Sequence, residues 1–139
     1  MPQRNVHGDW TMHFEKRMLF SKVIGETNYE AGLVWFDEMK TLVLSSPERD
    51  TTPWVYLLDC REWIGASKEA WESNNAITDW MVEHNCALTA VVLPGKLQAY
   101  AIETHISDMS IMQFYFDYDD AHQVCLDKML EVQTSARGK

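Results

Sequence analysis

No glycine-rich phosphate loop, no CxxC pair and no histidine set at metal-ligand spacing occurs in this sequence. These absences remove the usual signatures of nucleotide chemistry, thiol redox and metal catalysis, so neither a cofactor nor a metal is expected. Positive charge is scarce as well: 12 Lys and Arg stand against 21 Asp and Glu, for a net charge of −9. The basic residues are scattered singly, leaving no footprint for a phosphate backbone and no polybasic stretch for an anionic membrane; neither nucleic acid nor membrane is an expected partner. Long apolar runs are missing. None approaches the ~20 residues that span a bilayer. Met1 to Trp10 is polar rather than signal-like, so the sequence predicts a cytoplasmic protein. Cys60, Cys86 and Cys125 are an odd set without pairing pattern, as expected of reduced thiols used as small core residues.

What is present is material for one core. The chain has 139 residues, 46% of them hydrophobic, which suits a single domain. Six tryptophans and eight methionines are more than a small interior needs. Flat aromatic faces and adaptable thioethers suit an apolar pocket or an interface, although each ring taken singly also fits an ordinary core position. Trp35, Trp63, Trp71 and Met109 are the ones expected nearest a surface.

Periodicity divides the chain. From Asp9 to Glu15, Trp10, Met12 and Phe14 alternate with polar residues, the pattern of a half-buried strand. After Lys16 and Arg17, Met18 to Ile24 is a second strand in a predicted antiparallel hairpin, closed by Gly25. Thr27 with Glu30 has capping-box spacing and predicts a helix whose inner face carries Leu33, Phe36, Met39 or Lys40, and Val43, widened by Trp35 and Leu42. Ser45, Ser46 and Pro47 end it, and Glu48 to Pro53 reads as a polar loop.

Trp54 to Leu58 is nearly uninterrupted apolar sequence, as in a central parallel strand, with Asp59 at its carboxyl end. A helix from about Lys68 to His84 follows, with Ser67 as N-cap, Glu69 in the first turn, and Ala70, Ile77, Trp80 and Met81 on one face; Asn85 stops it in a left-handed conformation. Ala87 to Leu93 is a further buried strand, and Leu97 to Met109 a third helix with Leu97, Ala101, Ile102 and Ile106 inward. Met112 to Phe116 is the last strand. Asp117 caps a final helix with an Ala121, Val124, Cys125, Met129, Val132 stripe, fraying after Gln133. The predicted fold is therefore α/β, a mostly parallel sheet of about five strands with four helices in the order β-β-α-β-α-β-α-β-α, the first strand antiparallel.

The stretch Trp54-Val-Tyr-Leu-Leu-Asp-Cys-Arg-Glu-Trp63, then Ser67-Lys-Glu-Ala70, a helix through Trp80, the strand ending at Leu93 and the closing Phe116-Asp-Tyr-Asp-Asp-Ala121 resemble the STAS-like superfamily of sulfate-transporter and anti-sigma-factor-antagonist domains. The resemblance implies a domain without enzymatic activity that binds other proteins, in some members under serine phosphorylation, or one that holds an apolar ligand under its helices. Antagonist members carry an Asp-Ser-Ser-Gly turn at the second helix. This chain has Gly65-Ala-Ser67-Lys-Glu-Ala70 there, so under the resemblance only Ser67 could serve as a phosphosite.

Open α/β sheets place ligand crevices at the carboxyl ends of their strands, and helix N-termini receive anions. Asp59, Arg61, Trp63 and Ser67 are thus the leading site candidates, joined by Trp71 and Trp35. Turn and capping chemistry would account for Asp59 and Ser67 equally well, and Trp63 could be a lid on the core. The first function expected is contact with a protein partner, a second copy included, through this loop and helix. The second is a carrier or sensor of a small apolar molecule near Trp35 and Leu97, and the last an unfamiliar enzyme using Asp59, Ser67 or Cys60. Asp117, Asp119 and Asp120 lack the glycine and distal glutamate of a calcium loop.

Overall fold

Lys16 and Arg17 both adopt left-handed backbone (φ 51° and 65°) and reverse the chain in two residues, with Glu15 facing Met18. Such a turn matches the twist of the strands it joins. β1 (Asp9–Glu15) and β2 (Met18–Thr27) form this antiparallel hairpin, and α1 (Tyr29–Leu44), β3 (Trp54–Ala66), α2 (Ala70–Glu83), β4 (Cys86–Val92), α3 (Lys96–His105), β5 (Met112–Tyr115) and α4 (Tyr118–Arg137) follow. The computed structural model describes residues 6–45 and 53–137, with side chains through Val132. Of the predicted 48–53 loop only Pro53 is among them, and Ser46 and Pro47 also lie outside the described residues.

The five strands lie in the order β1-β2-β3-β4-β5, with β1 antiparallel and the others parallel, so the sheet is mixed. Side chains of β3 alternate across it. Trp54, Tyr56 and Cys60 enter a core with Trp35 and Met39 of α1, Ile77 and Met81 of α2, and Ile102 of α3. Val55 and Leu57 enter the opposite core with Ala121, Cys125 and Met129 of α4. All three cysteines are buried free thiols, as predicted. Among the described residues no helix is long and apolar enough to cross a membrane.

Several boundaries differ from expectation, each for a local reason. Asn28 rather than Thr27 caps α1, its side chain accepting the Ala31 N–H at 3.0 Å, because Thr27 is still held in β2. The stripe of α1 rotates accordingly: Ala31, Gly32, Trp35, Met39 and Val43 are buried, while Leu33 is exposed. Gly32 is in the stripe because α2 approaches closely, and a Cβ there would lie 2.8 Å from Ser73 Cβ. Gly25 does not close β2. α3 stops at His105, four residues short of Met109, and turns Leu97 out to solvent. Phe116 lies past the end of β5, and α4 stays helical beyond Gln133 to Arg137. Asn85 (φ 70°) ends the α2 segment in left-handed backbone, and Asp117 accepts the Asp120 N–H at 3.0 Å, both as predicted.

Candidate functional site

β3 is thirteen residues long and does not end at Leu58. Its pairing with β4 stops at Asp59 opposite Val92, whereas its pairing with β2 continues to Ala66 opposite Thr27. Asp59 therefore lies inside the strand, and Cys60 to Ala66 form a projecting ribbon with β2. Two register shifts shape that ribbon. Between the pairs Lys22 with Asp59 and Ile24 with Glu62, β3 uses one residue more than β2, so the face alternation slips and Trp63 joins Cys60 on one side. Between Gly25 with Trp63 and Glu26 with Gly65, the extra residue is Ile64, followed by Gly65 at φ 143°, a backbone that favours glycine.

The sheet separates the predicted site residues into two groups. On the α4 side Asp59 is buried, and its carboxylate accepts the Arg61 backbone N–H at 3.1 Å, Nε at 2.9 Å and Nη2 at 2.8 Å. Burial alone pushes the Asp59 carboxyl up, but the hydrogen bonds and charge of Arg61 outweigh it and hold the group below its ordinary value. The half-exposed Arg61 also lies over the Tyr118 ring, 5.0 Å from its centroid, and Lys22 pairs with Glu62 alongside. A carboxylate so tied anchors a strand and the start of α4; it is not poised to transfer protons.

On the other side Trp35 and Trp63 are buried, and Trp71 is half-buried; the first two are not the surface residues expected. Trp63 Nε1 donates to Thr27 Oγ1 at 3.4 Å, its ring meets Trp71 edge-on at 6.2 Å, and Trp35 packs against Trp10 at 5.6 Å. Together these rings line a cavity of about 120 Å³ between the sheet and the helices, with Tyr56, Val91, Ile102 and Ile106 also in its walls. Leu97, expected near it, is not among its walls. The walls are mainly apolar, and burial pushes the Tyr56 hydroxyl well up while it donates to Ser21 Oγ at 3.0 Å.

Ser67 belongs to neither group and caps nothing. α2 begins at Ala70 after Glu69, which makes no side-chain cap bond, and Ser67 engages only its backbone: its N–H donates to Thr27 O at 2.9 Å and its carbonyl accepts the Ala70 N–H at 3.0 Å. Its surroundings are acidic, with Glu30, Glu69 and Glu72 around a shallow hollow. Among the described residues around that hollow three are carboxylates and none is an arginine.

Burial pushes the Cys60 thiol far up and those of Cys86 and Cys125 to about 12, which leaves all three protonated and poor nucleophiles. Among the described residues no three or more His, Cys, Asp or Glu side chains gather where a metal ion could sit. Sequence reasoning missed Trp10, Tyr56 and Thr78 in the cavity wall. The alternation of β1 and β3 puts Trp10 and Tyr56 on an inner face, but no local signal says which faces meet.

Three solved structures are similar over most of their length. An anti-sigma factor antagonist from Mycobacterium paratuberculosis is 14% identical with TM-score 0.63, covering 87% of this chain and 96% of that one. An uncharacterised protein of the DUF3478 family with a SpoIIAA-like fold, from Shewanella loihica, is 20% identical with TM-score 0.58, over 86% and 95%. The anti-sigma factor antagonist SpoIIAA in its unphosphorylated form is 8% identical with TM-score 0.58, over 84% and 97%. No protein-family model and no curated protein matches the sequence. The chain has the STAS-like fold.

Proposed function

We propose that the chain is a non-enzymatic regulatory module of STAS-like type that binds a protein partner at the carboxyl-terminal end of its sheet. One observation carries this reading. Ile64, Leu97, Tyr100 and Phe116 are 72, 75, 67 and 53% exposed; Ile64 stands near the carboxyl end of β3, Phe116 directly follows β5, and Leu97 and Tyr100 lie in the first half of α3, the helix that follows β4. Large apolar groups left in water at one end of a domain mark a contact surface, and this is the end where parallel sheets carry their binding loops. Arg61 and Ser67 flank Ile64 in the sequence. The fold likeness to anti-sigma factor antagonists, whose description implies a protein target, supports the same reading. A second copy is the less favoured partner at β1: Asp9 already accepts the Trp10 N–H at 2.9 Å, and symmetric pairing about Met12 would oppose Asp9 and Glu15.

The test compares affinity capture from native extract by the wild type, by the Ile64→Ser, Leu97→Ser, Tyr100→Ser triple variant and by Leu130→Ser, whose exposed leucine lies near the far end of α4. A partner held by the wild type and Leu130→Ser and lost by the triple variant supports the reading. Capture indifferent to the triple change overturns it.

The cavity favours a second function, the binding of a small apolar ligand. Its volume is close to that of engineered cavities, on the order of 150 Å³, that stay dry and accept a benzene ring. Native mass spectrometry of the purified protein is expected to show a co-purified small mass that disappears when Val91, in the cavity wall, is replaced by Phe. A wild type that is empty and takes up no added aromatic hydrocarbon contradicts it.

A further inference from the structure

Asparagine is a poor helix former, yet Asn74 and Asn75 stand together inside α2. The Asn75 side chain is committed to groups thirty residues away. Its Nδ2 donates to the carbonyl of His105 at 2.8 Å as well as to Trp71 O at 3.0 Å, and its Oδ1 accepts the Ser107 N–H at 2.8 Å. One amide thus satisfies a carbonyl that the end of α3 leaves without a helical partner, and an N–H of the segment leaving it. Alongside, the His105 ring stacks on the Trp71 indole with centroids 4.6 Å apart and planes 11° from parallel.

The place of this junction gives it meaning. Trp71, one residue of the stack, lines the aromatic cavity, as do Ile102 in the last turn of α3 and Ile106 just after it. Among the described residues no other hydrogen bond joins α3 to a neighbouring helix. The outer side of α3 holds to nothing apolar, since Leu97 and Tyr100 face solvent, and extended Gly95 leads into the helix. A short helix held by the apolar contacts of Ala99 and Ile102 and, in hydrogen bonds to a neighbouring helix among the described residues, by the Asn75 amide alone has a low local cost of opening.

We infer that Asn75 is a positioning residue that clasps the end of α3 over the aromatic cavity and sets how fast that cavity exchanges an apolar ring. What is exchanged rests on the ligand reading above; the clasp rests on the hydrogen bonds and the ring stack.

Two readouts separate them. Amide hydrogen exchange across residues 99–107 is expected to quicken about tenfold in Asn75→Ala, equivalent to about 1.4 kcal/mol of lost local stability, while β3 and β4 stay as slow as in the wild type. Alanine favours helix, so α2 is retained and the global unfolding midpoint stays nearly fixed. Asn75→Asp keeps an acceptor for Ser107 but sets a carboxylate against the His105 carbonyl, and should quicken exchange at least as much. His105→Ala removes the ring stack and the Nδ1 contact with the Ala101 carbonyl but leaves the Asn75 amide bonds, and should have the smaller effect. With fluorobenzene as probe, ¹⁹F line shapes should show faster exchange in Asn75→Ala than in the wild type. Unchanged amide exchange in both Asn75 variants overturns the clasp even if fluorobenzene binds. Quickened amide exchange in a protein that never takes up fluorobenzene supports the clasp and overturns the ligand reading.

Discussion

The two faces of one sheet are built from different materials. All six tryptophans, Trp10, Trp35, Trp54, Trp63, Trp71 and Trp80, belong to the core under α1, α2 and α3, and none to the core under α4. The buried residues of the α4 face are valine, leucine, alanine, cysteine and methionine, with Ala90, Val92, Ala121 and Cys125 wholly out of water, and Phe20, Tyr115 and Tyr118 pack at its margin. Small aliphatic side chains interdigitate to crystal-like density. Rigid rings meet in tilted and edge-on pairs and cannot fill every gap, so the aromatic face keeps a cavity. The proposed binding of a small apolar ligand on this side would rest on the shape of the core itself.

The largest test of that contrast is truncation on each face. Trp63→Ala should cost about 3–5 kcal/mol, as large core deletions do, and Cys125→Ala only about 1 kcal/mol; urea unfolding of both measures the difference, and equal costs would erase it. Adjacent residues of β4 sharpen it further. Ala90 faces α4 and Val91 lines the cavity, so Ala90→Val should destabilise by about 1–3 kcal/mol through overpacking. Val91→Ile, adding one methylene beside the cavity, should be neutral or stabilise by up to about 0.8 kcal/mol. Thermal unfolding in the opposite order would show that the cavity face is the tighter one.

Arg61→Ala tests the polar anchor on the α4 face, with an expected loss of about 1–2 kcal/mol at neutral pH, discounted because the guanidinium is half in water. Its sign with pH is fixed by Asp59. The folded carboxyl is held below its ordinary value, so its contribution is present above the ordinary aspartate range, near 3.9, and is lost as pH falls through that range and below it. Without Arg61, burial remains and raises the group, so acid unfolding of the variant should begin at higher pH than in the wild type. Coincident acid profiles would mean that the pair does not anchor the strand.

Local rules carried the sequence reading where structure is local. The alternation of Trp10, Met12 and Phe14, the stop at Asn85, the Asp117 cap and the order of elements were legible because each depends on neighbours in the chain. The projecting end of β3 was not. Asp59, Arg61 and Glu62 look like loop sequence, and the bulge that sends Trp63 inward shows only in the pairing with β2. Leu33 looked the better core residue until the close approach at Gly32 turned α1 toward Ala31 and Trp35. The candidate site divided for the same reason: Asp59 and Trp63 are neighbours in sequence but lie on opposite sides of the sheet, and the Asn75 junction spans thirty residues.

Titration of the wild-type protein with fluorobenzene, followed by ¹⁹F NMR beside a folded Val91→Phe variant, is the most direct test of an aromatic face that holds a ring-sized space. The predicted result is a saturable shift or broadening in the wild type that the Phe substitution abolishes. Identical, non-saturable behaviour of the two proteins would contradict it.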